Sequence, residues 1–148
     1  MTWSARALNS MSSRLFFASL ALWLCASPAR AEDPSISIEL NKTEEAEQGC
    51  RTHFLFENRT GHQLNRFQID LVFFDHDGVY SNQILLDMAP FYKDKKTITS
   101  FLLLNTRCDE IGSVLVNDLP ACENSAGGAL DCLSFLNVVS KSDIKLEK

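Results

Sequence analysis

The chain has 148 residues, 45% of them hydrophobic, with 19 acidic against 14 basic side chains and a net charge of −5 with histidine neutral. That length suits one modest domain rather than several. The acidic balance argues against nucleic acid or an anionic lipid surface as a partner.

The N-terminus reads as a targeting segment. Arg6 and Arg14 are basic, and no acidic residue precedes Glu32. Leu15 to Cys25 is a short apolar run, and Ala29-Arg30-Ala31 supplies the small residues a signal peptidase requires. We expect an export signal over residues 1–31, cleavage after Ala31, and a periplasmic or secreted location. Met11 to Ala31 alone also makes a complete signal, so either Met1 or Met11 serves as a start. The run falls short of the roughly 20 apolar residues of a comfortable transmembrane span. Leu24 precedes Cys25, where a lipid-modified cysteine normally follows a small residue, so Cys25 reads as one more apolar side chain. Removing the segment takes Arg6, Arg14 and Arg30 with it. That leaves 11 basic against 19 acidic residues, a net charge of −8, in a single domain over residues 32–148.

Within that domain the apolar residues recur with period two, the signature of half-buried strands. Ile36, Ile38 and Leu40 alternate with Ser35, Ser37 and Glu39 in a first strand. The acidic stretch Thr43 to Gly49 reads as a loop. Cys50, Thr52, Phe54 and Phe56 mark the inner face of a second strand. Asn58-Arg59-Thr60-Gly61 reads as a bulged hairpin turn with Gly61 at the positive-φ position. The central strand follows: Phe67, Ile69, Leu71 and Phe73 on one face, Arg66, Gln68 and Asp70 on the other. Asp77-Gly78 then turns the chain into a strand carrying Ile84, Leu86 and Met88, which Ala89-Pro90 stops. After a basic connection from Tyr92 to Lys96, Thr97 to Leu104 alternates again. Ile111 to Val116 is a short strand ended by Asn117-Asp118-Leu119-Pro120. Asn124 to Gly128 is a small-residue loop, and Leu133 to Val139 is the last strand, with Ile144 to Leu146 extending it.

About seven strands joined by turn signals, with no helical periodicity, predict an all-β fold: an immunoglobulin-like antiparallel β-sandwich. The central strand and its turn also resemble the strand pair of fibronectin-like FxLYD modules. The stretch from Val72 to Val79 has a second likeness. An apolar strand ending in Asp75-His76-Asp77-Gly78-Val79 resembles the first motif of haloacid dehalogenase-like phosphatases. That likeness implies Asp75 as nucleophile, Asp77 as general acid, and Mg²⁺ between them. Such chemistry needs a parallel sheet with crossover helices to bring a cationic group to the phosphoryl. No amphipathic helix follows Val79, so the plain reading is a hairpin turn. The same residues lack the third Asp and the spacing of a helical calcium loop.

A wider likeness covers almost all of residues 32–148. Leu40-Asn41-Lys42, Cys50, Glu57-Asn58, Asp70-Leu71-Val72-Phe73-Phe74-Asp75, Asp77-Gly78-Val79, Cys108, Val116-Asn117-Asp118, Cys122 and Asp131-Cys132 resemble a family of small exported, signal-sequence proteins from alphaproteobacteria. The resemblance implies a periplasmic setting and no activity. Members often carry a twin-arginine signal. This chain lacks an Arg-Arg pair before its apolar run, which favours the general export route.

Four cysteines follow the signal: Cys50, Cys108, Cys122 and Cys132. An even number in an exported chain predicts two disulfides, with three connectivities open. In an immunoglobulin-like order the second and sixth strands run the same way. Cys50 and Cys108 then lie at one end, Cys122 and Cys132 at the other. A strand spans roughly 20 Å at about 3.3 Å per residue, whereas a disulfide needs Cα atoms within about 7 Å. The expected pairs are therefore Cys50–Cys108 and Cys122–Cys132. No Cys-x-x-Cys occurs, and His53, His62 and His76 have no metal-ligand spacing.

The remaining candidates are surfaces. Val72 and Phe74 fall on the face of the central strand opposite the core, and we group them with Leu85, Phe101 and Leu103 as a candidate interaction face. Pro90-Phe91-Tyr92 beside Lys93, Lys95 and Lys96 reads as a packed phenylalanine with lysines guarding an edge strand. Asn41-Lys42-Thr43 and Asn58-Arg59-Thr60 match glycosylation sequons but read as ordinary turns. There is no Gly-x-Ser-x-Gly and no phosphate-binding Gly-rich loop. Nothing specifies a metal or cofactor. Two function classes compete: a non-enzymatic binding or accessory module pairing with an envelope protein, and a small metal-dependent hydrolase using Asp75 and Asp77.

Overall fold

The computed structural model describes residues 35–148; the expected signal, its cleavage site and Cys25 lie outside them. The described chain is all β apart from one turn of 3-10 helix. Its strands are β1 (Ile36–Ala46), β2 (Gly49–Asn58), β3 (Leu64–Phe74), β4 (Tyr80–Asp87), β5 (Lys95–Leu104), β6 (Ser113–Asn124), β7 (Leu136–Ser140) and β8 (Lys145–Glu147). They form two four-stranded sheets, ordered β5-β2-β1-β7 and β4-β3-β6-β8. Among the described residues no helix is long and apolar enough to cross a membrane.

The period-two pattern explains why the sheets meet. Ile36, Ile38 and Leu40 of β1 and Phe54 and Phe56 of β2 are fully buried, as are Phe67, Ile69, Leu71 and Phe73 of β3. With Val114 and Val116 of β6 they form one contiguous core drawn from both sheets. Each large side chain so buried contributes roughly 1.5–3 kcal/mol, far more than an exposed ion pair of this acidic surface. Ile84, Leu86 and Met88 pack partly buried against that core. Phe91 lies beneath it with its ring stacked 4.9 Å from Phe67.

Several boundaries differ from the sequence reading. The acidic stretch after Leu40 is strand as far as Ala46. A bulge between Leu40 and Lys42 resets the register so that Glu44 pairs with Arg51, and the opposite charge offsets the acidic run. The turn closes at Gly49, with φ +147, where a Cβ would sit 1.9 Å from the Leu103 carbonyl oxygen. The segment after β2 is not a hairpin, because β2 and β3 belong to different sheets. Gly61 does take a positive φ of 79, and the buried Asn58 side chain holds the crossing by donating to the His62 and Phe91 carbonyls. Asn117 to Pro120 does not end β6. Two register shifts around Asp70 absorb those residues and pairing with β3 resumes. The chain's end is two strands, making eight rather than about seven. The Ser140 hydroxyl bonds the Ile144 carbonyl, turning the chain from β7, parallel to β1, into β8, parallel to β6.

Candidate functional site

All four cysteines of the described chain are paired as expected. Cys50 at the start of β2 bonds Cys108 in the 3-10 turn (Cys108–Glu110), with Cα atoms 4.8 Å apart. Cys122 in β6 bonds Cys132, with Cα atoms 6.2 Å apart. The first bond joins the starts of β2 and β6, and the second lies toward the opposite end of β6. Cys122 sits inside β6 rather than beyond it, because that strand runs on to Asn124.

The candidate face made of Val72, Phe74, Phe101 and Leu103 is not a single surface. Val72 and Phe74 lie on β3. Phe101 and Leu103 lie on β5 in the other sheet, pointing inward: Leu103 is in the core, and the Phe101 ring packs 5.9 Å from Phe54. The physical reason is pairing. β5 adds to β2, not to β3 or β4, so its inward alternation serves the opposite wall of the core. On the outer face of β3, Val72 stands between Gln83 of β4 and Leu115 of β6. These neighbours leave it only 8% exposed. Beside it Asp70, expected on the solvent face, is equally covered. Its carboxylate accepts from the Gln83 and Asn117 side-chain amides, each at 2.7 Å. The protein's own side chains therefore cover Val72 and Asp70, while Leu85, 61% exposed, and Tyr80 remain open apolar groups of the same face.

The Asp75–Gly78 turn is held from within. Asp75 Oδ1 accepts from the backbone N–H groups of Asp77 and Val79, at 2.9 and 2.8 Å, an arrangement in which a short acidic side chain replaces a backbone acceptor. Gly78 takes φ 76. Gly112 packs against the turn so closely that a Cβ would meet the Asp75 carbonyl oxygen at 2.5 Å. His76 Nε2 donates to the Asp109 carbonyl at 2.9 Å. Among the described residues no three His, Cys, Asp or Glu side chains cluster closely enough to hold a metal. Beside the turn lies a cleft of about 590 Å³ whose lining includes Lys42, Lys141, His76, Asp109, Asp143 and Ile144. Arg107 engages Asp109 and holds its carboxyl below the usual carboxylate range.

A second polar constellation escapes sequence reading. Glu44, His53 and Ser100 come from three strands and meet on the outer face of β1, β2 and β5. His53 Nε2 lies 3.1 Å from Glu44 Oε1, and Nδ1 lies 2.7 Å from the Ser100 hydroxyl. With Nε2–H donating to the carboxylate, Nδ1 accepts the hydroxyl proton. This is the acid–imidazole–hydroxyl order used to activate a serine, set across an open ladder. Lys42 also bonds Glu44, at 2.7 Å. Bonding to Lys42 first, then to His53, holds the Glu44 carboxyl below its ordinary value. No signal in the sequence marks this constellation, because it depends on the bulge after Leu40, which pairs Lys42 rather than Asn41 with His53.

The edges are the most open apolar feature. Of the eight exposed large hydrophobic residues among those described, Val79, Tyr80, Leu85, Tyr92, Ile98 and Leu104 lie on β4, on β5 or in the links flanking them. β4 and β5 are each the outer strand of their sheet. No protein-family model matches the chain, and neither a curated protein nor a solved structure is detectably similar to it.

Proposed function

We propose that the chain is an exported, periplasmic binding or accessory module of the cell envelope, built as an immunoglobulin-like β-sandwich. The observation that carries this reading is the pairing of all four cysteines of residues 35–148 in two disulfides at separate points of the fold. Such bonds persist in oxidising compartments and are rare where thiols are kept reduced. The basic and apolar segment before Glu32 supports the same route. The topology supports the immunoglobulin-like order through six strands, with β1, β2 and β5 in one sheet and β3, β4 and β6 in the other. β7 and β8 depart from that order, β7 by pairing parallel to β1 and β8 by pairing parallel to β6.

A binding role rests on where apolar surface remains. It gathers along β4 and β5, whose outer backbone groups are open to strand addition. The hydrolase alternative draws less support, since Asp75 spends one oxygen on two amides of its own turn. The test is fractionation of the native host with thiol alkylation, plus N-terminal sequencing of the purified protein. Expected are a periplasmic protein starting at Glu32 and four cysteines resistant to alkylation until reduced. A cytoplasmic protein with reactive thiols overturns the reading.

A further inference from the structure

An open edge strand is a template for pairing, and proteins usually block it with charges, proline or a bulge. β5 has little such protection. Its only charges, Lys95 and Lys96, occupy the first two positions, and Thr97 to Leu104 carries neither charge nor proline. Its ladder with β2 runs from Gly49–Leu104 to Asn58–Lys95 without a register shift. The free edge is therefore straight, long and uncharged through its centre.

The strand is also self-complementary when reversed. Antiparallel pairing about a two-fold axis at Ser100 sets Ile98 of each copy opposite Leu102 of the other on the outer face. Ile98 is 65% exposed in the single chain. On the inner face the same register sets Thr97 opposite Leu103 and Thr99 opposite Phe101. Lys96 meets Leu104, so no lysine of the strand opposes another. Aliphatic cross-strand pairs are the unit of stabilisation in such a ladder.

The two ends of β5 differ in charge. Lys93, Lys95 and Lys96 flank Asp94 at its start, where Lys96 also pairs with Glu57 across the ladder at 3.7 Å, leaving a net positive end. Its end abuts the β1–β2 turn, where the Asn105 N–H donates to the Gln48 carbonyl. Glu45, Glu47 and Glu110 line that end, and its basic groups are already engaged, Arg107 by Asp109 and Arg51 by Glu44. Reversal brings the lysine end of each copy alongside the acidic end of the other. The match is local, on a chain whose overall negative charge opposes indiscriminate association.

We propose that β5 is a self-association edge, through which two copies of the chain pair antiparallel about Ser100 to extend the β5-β2-β1-β7 sheet into a continuous eight-stranded one. The inference is independent of the export reading, and the occupant is a second copy rather than a foreign strand. The experiment is sedimentation velocity on the purified, oxidised protein over a concentration series at low and high salt. A dimer is expected that salt weakens. Ile98→Lys should raise its dissociation constant by at least roughly tenfold, since two cross-strand pairs are lost per dimer. Ser100→Cys should cross-link two chains on mild oxidation, because residues facing each other on the axis lie within disulfide reach. Leu104→Lys, at another exposed position, replaces Ile98→Lys if that variant fails to fold. A monomer at every concentration up to roughly 1 mM, a dimer indifferent to both lysine variants, or β5 pairing only with a different protein overturns the proposal.

Discussion

Asn117 Nδ2 and Asp70 Oδ2 meet at 2.7 Å where the ladder between β3 and β6 slips register. The bond joins a buried carboxylate to the irregular segment that would otherwise end β6. Gln83 completes the set from β4. Replacing Asp70 with Ala removes the acceptor shared by two amides whose residues are themselves exposed, and the loss should cost roughly 0.5–1.5 kcal/mol because water can take the acceptor's place. Asp70→Asn keeps one acceptor oxygen and should cost less. Urea midpoints of the two variants against the parent check the order.

The two disulfides should differ in worth. Cys50–Cys108 closes a separation of 58 residues and Cys122–Cys132 one of 10. Chain entropy assigns about 4 kcal/mol to the first and about 3 to the second. Paired alanine substitutions, measured by denaturant unfolding, should show the larger loss for Cys50 and Cys108. The reverse order would mean that the denatured chain already holds β2 near β6.

The Asp75 turn separates structure from catalysis. Asp75→Asn retains the side-chain oxygen that accepts from Asp77 and Val79, so stability should hold within about 0.5 kcal/mol. Asp75→Ala removes it and should cost about 1 kcal/mol. Neither change should alter a Mg²⁺-stimulated phosphatase assay. An activity abolished by Asp75→Asn at unchanged stability would reinstate the hydrolase.

Glu44 supplies a pH test. Its folded-state pKa lies below the ordinary 4.5, through bonding to Lys42 and then to His53. A depressed carboxyl stabilises the fold at pH above the unfolded value, and the contribution is lost as pH falls through the folded one. Side-chain carboxyl chemical shifts should place its midpoint below 4.5. Lys42→Ala should move that midpoint upward, and His53→Ala should move it by less.

Much of this was legible from alternation alone. Phe67, Ile69, Leu71 and Phe73 announce β3, and Asp77-Gly78 announces its turn. Strand order even yields the cysteine pairs. Alternation tells which side of a strand is apolar but not which sheet the strand joins. For that reason Phe101 and Leu103, which line the wall opposite β3, looked like companions of Val72. The Glu44–His53–Ser100 set depends on one extra residue in β1, a shift that carries no compositional mark. Asp70 is hidden for a similar reason, since its cover comes from Gln83 and Asn117, distant in sequence and joined only by the ladders.

The parallel pairing of β7 with β1 has a consequence for how the molecule comes into being. Ile36 finds its neighbour Leu136 only after 100 further positions of chain. Such distant contacts form slowly because the intervening loop must first be closed. A chain released N-terminus first therefore carries β1 with one flank bare until β7 follows it. β7 and β8 together act as a latch on both sheets, and the moment of closure is set by when they arrive.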